Sequence, residues 1–208
     1  MCAKMLKIRR AKFQNTLSVM VMLLMAIMPF KATTQHQSKH QLPVRIEATI
    51  LGKIISYDQS LASRVRDDNT IHIAVLSGAK NLKPDKRTDE LYHTLNSIGS
   101  KLVPGHKVTA HRIAYTNAAF VQKSIAAQYI SIIYVGAGLE NNLDEIIRMS
   151  RAQKILTATS GLQPVEKGIS VGIYLEDSKP RMVINVHASK QEGSIFPSSL
   201  LRLSRVIR

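Results

Sequence analysis

The sequence predicts an α/β fold: a three-layer α/β sandwich with a mixed, mostly parallel sheet, a C-terminal antiparallel hairpin and a final helix. Through the middle of the chain, short apolar runs rich in β-branched residues alternate with segments whose apolar residues recur at helical spacing. After residue 160 the alternation stops, and two strand-like runs follow each other across a short turn sequence. Alternation favours parallel strands joined by crossover helices, and the closing pair of strands favours a hairpin.

The first element is predicted to be a helix over residues 43–57. Pro43 is tolerated in a first helical turn, because the N–H that proline lacks would have no intrahelical partner there. The apolar residues that follow recur at spacings of four, three and four, and they are Val44, Ala48, Leu51 and Ile55.

Strands and helices should then alternate. The apolar run at 70–76 (TIHIAVL) is typical of a strand covered on both faces and should end in a turn at 77–78. Further strands are predicted at 107–115, 129–135 and 155–159, and helices at 86–98, 117–128 and from 142 onward. Gly99 is expected to end its helix in the left-handed conformation, and Asn117 to cap the next one. Asn142 and Glu145 are spaced as a capping box.

The C-terminal part is predicted to close the fold. Runs at 169–175 and 181–186 flank the turn sequence EDSKP and should form a hairpin, with the second strand at an exposed edge. A short helical turn at 187–192 and a final amphipathic helix should follow. One face of that helix would carry apolar residues and the opposite face basic ones: Leu200, Leu203 and Ile207 against Arg202, Arg205 and Arg208.

Residues 1–32 are typical of a signal peptide. Five basic residues precede the uncharged apolar run LSVMVMLLMAIMPF at 17–30, which is shorter than the roughly 20 residues that span a bilayer core. We expect export, with an uncleaved membrane anchor as the alternative. Residues 33–42 are polar and predict a flexible lead-in, and residues 43–208 predict a single domain.

Charge and cysteine content narrow the classes of function. The net charge is +15, but six of the 29 basic residues lie in residues 1–32, which hold no acid, so the rest has 23 basic and 14 acidic residues, or +9. Basic and aromatic residues are not interleaved, so we expect no nucleic-acid partner, and a solvated face is the simplest interpretation. Cys2 is the one cysteine, so the domain has no disulfide or thiol nucleophile.

A glycine pair follows the predicted strand at 129–135. Gly136 and Gly138 lack the third glycine of a dinucleotide fingerprint, and the carboxylate of Glu140 would repel phosphate. A turn is therefore favoured over a phosphate site.

Other catalytic and metal-binding patterns are also missing from the sequence. His106 and His111 would point to opposite faces of one strand, and His72 is expected to be a hydrogen-bonded core residue. Ser160 precedes Gly161 but lacks the surroundings of a nucleophile elbow. We therefore expect no enzyme activity, no metal and no cofactor.

The closing segment MVINVHASKQEGSIFPSSLLRLSRVIR resembles the C-terminal motif of YfiR-like periplasmic proteins. That motif is a strand ending in Ile/Phe-x-Ile-Asn, an Ala-rich turn ending in Gly, and Ser-x-Leu-Leu-x-Leu-Ala/Ser-Arg. The matching residues are Ile184, Asn185, Ala188, Gly193, Ser199, Leu200, Leu201, Leu203, Ser204 and Arg205. With ILTATSGLQPVEKGISVGIYLED, the first helix and IHIAVL, the resemblance covers about residues 43–208.

The resemblance implies a non-enzymatic regulator in the periplasm. Such a protein would bind the periplasmic sensor domain of an inner-membrane diguanylate cyclase, or of another membrane sensor protein. As a repressor it would hold the cyclase inactive and lower cyclic di-GMP, with effects on biofilm and motility. Redox regulation through disulfides, which some members use, is not expected without cysteines in the domain.

Several alternatives stand beside this interpretation. A small periplasmic solute-binding protein would use a cleft at the strand ends, although the chain has room for only one lobe. A homodimer through an edge strand or the first helix is also compatible with the pattern. The motif residues would either close the core, with Arg205 paired to a carboxylate, or leave Arg202, Arg205 and Arg208 as a partner-binding surface.

Overall fold

The computed structural model describes residues 41–78 and 85–208. The predicted signal peptide at 1–32 and the predicted lead-in up to residue 40 lie outside the described residues. Within the described part of the chain, no helix is long and apolar enough to cross a membrane.

The described residues form seven strands and seven α-helices. The strands are β1 Thr70–Gly78, β2 Lys107–Tyr115, β3 Ile132–Val135, β4 Leu156–Ser160, β5 Val171–Glu176, β6 Lys179–Asn185 and β7 Arg205–Ile207. The helices are α1 Val44–Ser56, α2 Lys86–Ile98, α3 Ala118–Ala127, α4 Leu143–Gln153, α5 Gln163–Glu166, α6 Val186–Gln191 and α7 Ser198–Leu201.

The strands form one mixed sheet in the order β2-β1-β3-β4-β5-β6-β7. The pairs from β2 to β5 are parallel, β5 and β6 are antiparallel, and β7 runs parallel to β6. The prediction of a mostly parallel sheet with a C-terminal hairpin is confirmed. Asp177 and Ser178, with φ of 49° and 59°, make the two-residue hairpin turn, because both central residues of a type I′ turn need positive φ.

Helices cover both faces of the sheet. On β1, Ile73 and Val75 belong to a core shared with α1, α2 and α7, whereas Ala74 and Leu76 belong to a second core shared with α3, α4 and α5. Because neighbouring residues of a strand point to opposite faces, these two cores lie on opposite sides of the sheet. The predicted three-layer sandwich is confirmed.

The early elements lie where they were predicted, with small shifts. Helix α1 and strand β2 match their predicted ranges, while β1 continues through residues 77–78 instead of turning there. Strand β3 begins at Ile132, three residues later than predicted, because Tyr129 has φ of 52°, which no strand residue adopts.

Two predicted helix-end details are wrong. Gly99 has φ of −54°, so it is not left-handed, and a Cβ built on it would lie 2.2 Å from the carbonyl oxygen of Val108. Glycine is therefore needed for close approach to β2. Asn142 precedes α4 but makes no side-chain cap, and the carboxylate of Glu145 instead accepts a hydrogen bond from the Tyr115 hydroxyl.

The predicted final helix is wrong beyond its first turn. Helix α7 has four residues, and the chain then turns and adds β7 beside β6, pairing Ile184 with Val206. Strand β7 thus covers the end of β6 at Val183–Asn185, while the first part of β6 remains an exposed edge, as predicted. Leu200 packs in the core of α1 and α2, but Ile207 packs against the core on the other face. One helix face cannot reach both sides of a sheet, so the chain passes the sheet edge as a strand.

The turn after α6 is held by a buried carboxylate. Glu192 is fully buried, and it accepts hydrogen bonds from the Thr157 amide at 2.7 Å, the Thr157 hydroxyl at 2.8 Å and the Ser150 hydroxyl at 2.9 Å. The Ser170 hydroxyl donates to the same carboxylate. These donors belong to α4, β4 and the segment before β5, so Glu192 joins three elements to the closing segment.

A buried guanidinium joins the same turn to distant loops. Arg64 lies in the short 3₁₀ helix that follows α1, and a guanidinium has five N–H donors. The acceptors are Asp58 Oδ2 at 2.9 Å, Ser131 O at 3.1 Å, Lys154 O at 3.1 Å, Glu192 O at 2.9 Å and Ser194 Oγ at 2.6 Å. Every N–H of the guanidinium therefore has a partner, which is what a buried charge requires.

Two leucines test the geometry of the closing segment. Leu200 is 2% exposed and Leu203 is 71% exposed. We expect Leu200→Ala to lower the free energy of unfolding by about 3 kcal/mol, because it leaves a cavity in the core. Leu203→Ala should change that free energy by less than about 0.5 kcal/mol. Urea unfolding measures both, and equal losses would support the amphipathic helix instead.

Two arginines test the buried network. Arg64→Ala leaves Asp58 buried without its charge partner, so we expect a loss of about 3–5 kcal/mol of unfolding free energy. Arg66 is exposed, with its guanidinium carbon 3.6 Å from the Tyr129 ring centroid, and Arg66→Ala should cost about 1 kcal/mol or less. Thermal and urea unfolding of both variants provide the comparison. A mild effect of Arg64→Ala would show that the network contributes little.

Candidate functional site

The three C-terminal arginines are all exposed. Arg202 follows α7, Arg205 lies in β7 and Arg208 is the last residue. The Arg205 Nη2 atom lies 3.6 Å from Glu166 Oε1, and both side chains are about half exposed, so this ion pair is weak. Because the predicted helix does not form, the arginines do not share a helical face. They extend from the end of a helix along an outer strand.

Leu203 stands among these arginines and is also exposed, which the amphipathic-helix prediction did not anticipate. We call Arg202, Leu203, Arg205 and Arg208 the C-terminal patch. Arginine is enriched at protein interfaces and its planar fork suits carboxylates. The side chains of the patch are therefore compatible with contact to an acidic protein surface.

The other motif residues lie mostly inside the fold. Asn185 accepts a hydrogen bond from the Ala188 amide at 3.0 Å and donates to the Val165 carbonyl at 3.1 Å, which caps α6. Gly193 has φ of 78°, as the turn after α6 requires. The remaining motif residues range from buried to exposed: Ile184 and Leu200 are buried, Leu201 is half-buried and Ser199 is exposed.

A small cavity lies at the carboxyl ends of β3 and β4. Its volume is about 100 Å³, and Gly136, Leu139, Glu140 and Ser160 are among its lining residues. A Cβ on Gly136 would lie 2.5 Å from the Leu76 carbonyl oxygen, so this glycine allows close packing of backbones.

The glycine turn beside the cavity does not favour phosphate. Gly138 has φ of 79°, which a turn explains. The Glu140 carboxylate accepts a hydrogen bond from the Gly138 amide at 3.2 Å. An acidic group thus occupies the backbone donor that a phosphate would need.

A buried carboxylate lies near the carboxyl end of β3, on the face of the sheet opposite the cavity. Glu47 is fully buried and accepts hydrogen bonds from the Tyr134 hydroxyl and from Arg87. Burial raises the pKa of Glu47, opposed by the Tyr134 bond and by Arg87. Burial and the neighbouring Glu47 raise the pKa of Tyr134 well above its usual value.

This cluster ties α1 and α2 to β3, and its polar atoms are used internally. The sequence held a signal for it that our reasoning missed: Glu47 interrupts the apolar stripe of α1, three residues after Val44 and one before Ala48. An acid in the buried face of a helix indicates a partner inside the fold. Glu192 offered no such signal, because it ends a short turn.

Two further groups have shifted pKa values. Burial raises the pKa of Glu192, although the Ser170, Thr157 and Ser150 hydrogen bonds oppose the shift. Burial and the hydrogen bond to Glu145 raise the pKa of Tyr115 to about 12. Both groups are held in place by hydrogen bonds within the fold.

The histidines agree with the prediction only in that His72 is hydrogen-bonded. His106 lies before β2 and its Nδ1 is 2.6 Å from Asn69 Oδ1, so it does not share a strand with His111. His72 is half-buried, and its Nδ1 lies 2.8 Å from Nε2 of His111. Burial lowers the pKa of both His72 and His111. Among the described residues, no group of three or more His, Cys, Asp or Glu side chains could hold a metal.

The outer strand β2 is partly blocked against pairing. The Asn96 side chain of α2 donates to the Ala110 carbonyl at 3.2 Å and accepts from the Ala110 amide at 2.9 Å. The amide side chain thus takes the place of a neighbouring strand at that residue. Side chains that cover edge groups limit strand addition by another chain.

Two solved structures share this fold. A conserved domain protein from Vibrio cholerae O1 biovar El Tor has a TM-score of 0.55 and 14% identity, over 80% of this chain and 60% of that one. The ABC domain in complex with L-Trp from Streptococcus pneumoniae has a TM-score of 0.56 and 13% identity, over 77% of this chain and 62% of that one. The chain thus spans about 60% of the length of each structure, and identities this low show the fold alone.

The family comparison is more specific. No curated protein matches the sequence. The model of the YfiR/HmsC-like family matches residues 44–205, which include every helix and strand from α1 to β6 and the start of β7. The chain belongs to the YfiR/HmsC-like family.

Proposed function

We propose that this protein represses an inner-membrane diguanylate cyclase by binding its periplasmic sensor domain, and so lowers cyclic di-GMP. The observation that carries the proposal is the family match over residues 44–205. The buried carboxylates of Glu47 and Glu192 are hydrogen-bonded to residues of the fold, which is compatible with this proposal. A regulator that acts through its surface needs no reactive group.

We propose the C-terminal patch as part of the binding surface. Its three arginines are exposed, and β7 and α7 hold them on a segment anchored by buried Leu200 and Glu192. A rigid basic surface loses little conformational entropy on binding. The patch would pair with carboxylates of the sensor domain, and Leu203 would fill an apolar depression between them.

Repression would work by differential binding. A regulator shifts a receptor only by the difference between its affinities for the active and inactive states. Moving the receptor from 1:99 to 99:1 in favour of the inactive state needs about 10⁴-fold tighter binding to that state. The contact surface must therefore recognise a shape that only the inactive sensor domain presents.

Charge reversal tests the patch. We expect the triple variant Arg202→Glu, Arg205→Glu and Arg208→Glu to bind the periplasmic domain about a hundredfold more weakly. The affinity of this variant should also depend less on salt concentration than that of the unaltered protein. Cyclic di-GMP in cells carrying this variant should rise to the level of a deletion strain. Affinity is measured by calorimetry with the periplasmic domain of a cyclase encoded beside this chain.

The matched control reverses three exposed basic residues elsewhere, Arg45, Lys123 and Arg148. It changes the net charge equally and should retain binding. If both triple variants bind alike, the C-terminal patch is not the contact. If the unaltered protein binds no cyclase and its deletion leaves cyclic di-GMP unchanged, the proposed function itself is wrong.

Solute binding is the competing function, and the cavity at β3 and β4 is too small to enclose such a ligand by itself. Its volume of about 100 Å³ is below the roughly 300–1,000 Å³ of sites that enclose small ligands. In a thermal-shift screen of amino acids, sugars and small organic acids, we expect no compound to raise the melting temperature by more than about 1 °C. A selective rise of about 5 °C by one compound would reverse this preference.

A further inference from the structure

Two histidines meet on neighbouring strands at the outer side of the sheet. His72 lies on β1 and His111 on the edge strand β2, offset by two residues from direct pairing. Their facing nitrogens, Nδ1 of His72 and Nε2 of His111, are 2.8 Å apart, and their ring centroids are 5.1 Å apart. Both rings are half-buried, so they are held by the fold and still reachable from solvent.

The strands fix where these rings point. Along β1, Ala74 and Leu76 face the core beneath α3 and α4, and along β2 the same face carries Ile113 and Tyr115. His72 and His111 precede these residues at intervals of two, so both rings lie on that face, nearer the amino ends of the strands. The two nitrogens therefore converge from a rigid, hydrogen-bonded pair of strands.

We propose that His72 and His111 form a two-imidazole binding site for a divalent transition-metal cation, with Cu²⁺ preferred over Ni²⁺ and Zn²⁺. The proposal is independent of the regulatory function and of the C-terminal patch. Water would complete the coordination, since the described residues contain no set of three metal-binding side chains.

The two rings must turn before a cation can bind. The 2.8 Å between the facing nitrogens and the 5.1 Å between the ring centroids place both nitrogens on the line between the centroids, as in a hydrogen bond. Rotation of the rings about their side-chain bonds, without movement of the strands, would direct both lone pairs to one cation. Cu²⁺ should then bind more tightly than Ni²⁺ or Zn²⁺, because imidazole sites follow the Irving–Williams order.

Protonation and charge also allow a cation to bind. Each imidazole must be neutral to donate its lone pair to a cation. Binding requires that each ring carry its single proton on its outer nitrogen, so one ring changes tautomer and no proton is released. Asp68 favours positive charge at His72, whereas Arg66 and Lys107 oppose it, and the affinity should accordingly be moderate.

The test uses the full chain without a histidine tag and the cations alone, added as CuCl₂, NiCl₂ or ZnCl₂. With free Ni²⁺ about a hundredfold above its Kd, the melting temperature should rise by about 5 °C, and EDTA should reverse the rise. Titration should show one site that binds Cu²⁺ more tightly than Ni²⁺ or Zn²⁺. Electron paramagnetic resonance of the Cu²⁺ form should show coupling to two imidazole nitrogens.

Variants separate this pair from other histidines. His111→Gln and His72→Gln should each weaken Ni²⁺ binding by about tenfold or more. His93→Gln, at an exposed histidine of α2, should leave it unchanged. No thermal shift in the unaltered protein, or equal binding by all three variants, would overturn the proposal. If a variant does not fold, a Cu²⁺ spectrum with fewer than two imidazole nitrogens overturns it equally.

Discussion

The structure depends on the hydrogen bonding of two buried charged side chains, Arg64 and Glu192. Removing a charge from water costs several kcal/mol unless partners replace the water. Arg64 satisfies all five N–H groups and the Glu192 carboxylate accepts from three residues. The main-chain carbonyl of Glu192 is itself one of the acceptors for Arg64. The two networks therefore meet at one turn, and each holds the other in place.

This arrangement explains how the closing segment can be short and still well placed. Between α6 and β7 the chain makes only a four-residue helix, too short to be stable by itself. Ser194 and Ile195 are tied to Asp58 by hydrogen bonds of 2.8 Å and 3.0 Å, and Leu200 is buried a few residues later. The C-terminal patch then follows a segment that is anchored to Asp58 and to the core. Such anchoring suits a protein whose proposed function is recognition by shape and charge.

Local sequence patterns predicted the early elements, whereas long-range strand pairing decided the last one. The helix at 44–56 and the strands β1 and β2 were predicted within one or two residues, because periodicity and flanking residues are local properties. The hairpin β5–β6 followed from its turn sequence in the same way. The final helix failed for a different reason. The spacing of Leu200, Leu203 and Ile207 does fit a helix. However, β6 offered a free edge, and pairing with that edge gives the backbone of residues 205–207 hydrogen-bond partners.

The amino-acid pattern alone decided the fold class, the order of the elements and, through the closing motif, the YfiR/HmsC-like family. It also placed the three arginines of the patch near the C-terminus. Tertiary structure decided which of the polar residues are buried and what they contact: Arg64 meets Glu192 across 128 positions, and His72 meets His111 across 39. No spacing pattern in the sequence predicts such pairs, because the two partners are far apart in the chain and only the folded sheet brings them together. The same holds for the last strand, whose conformation depends on an edge built by residues far earlier in the chain.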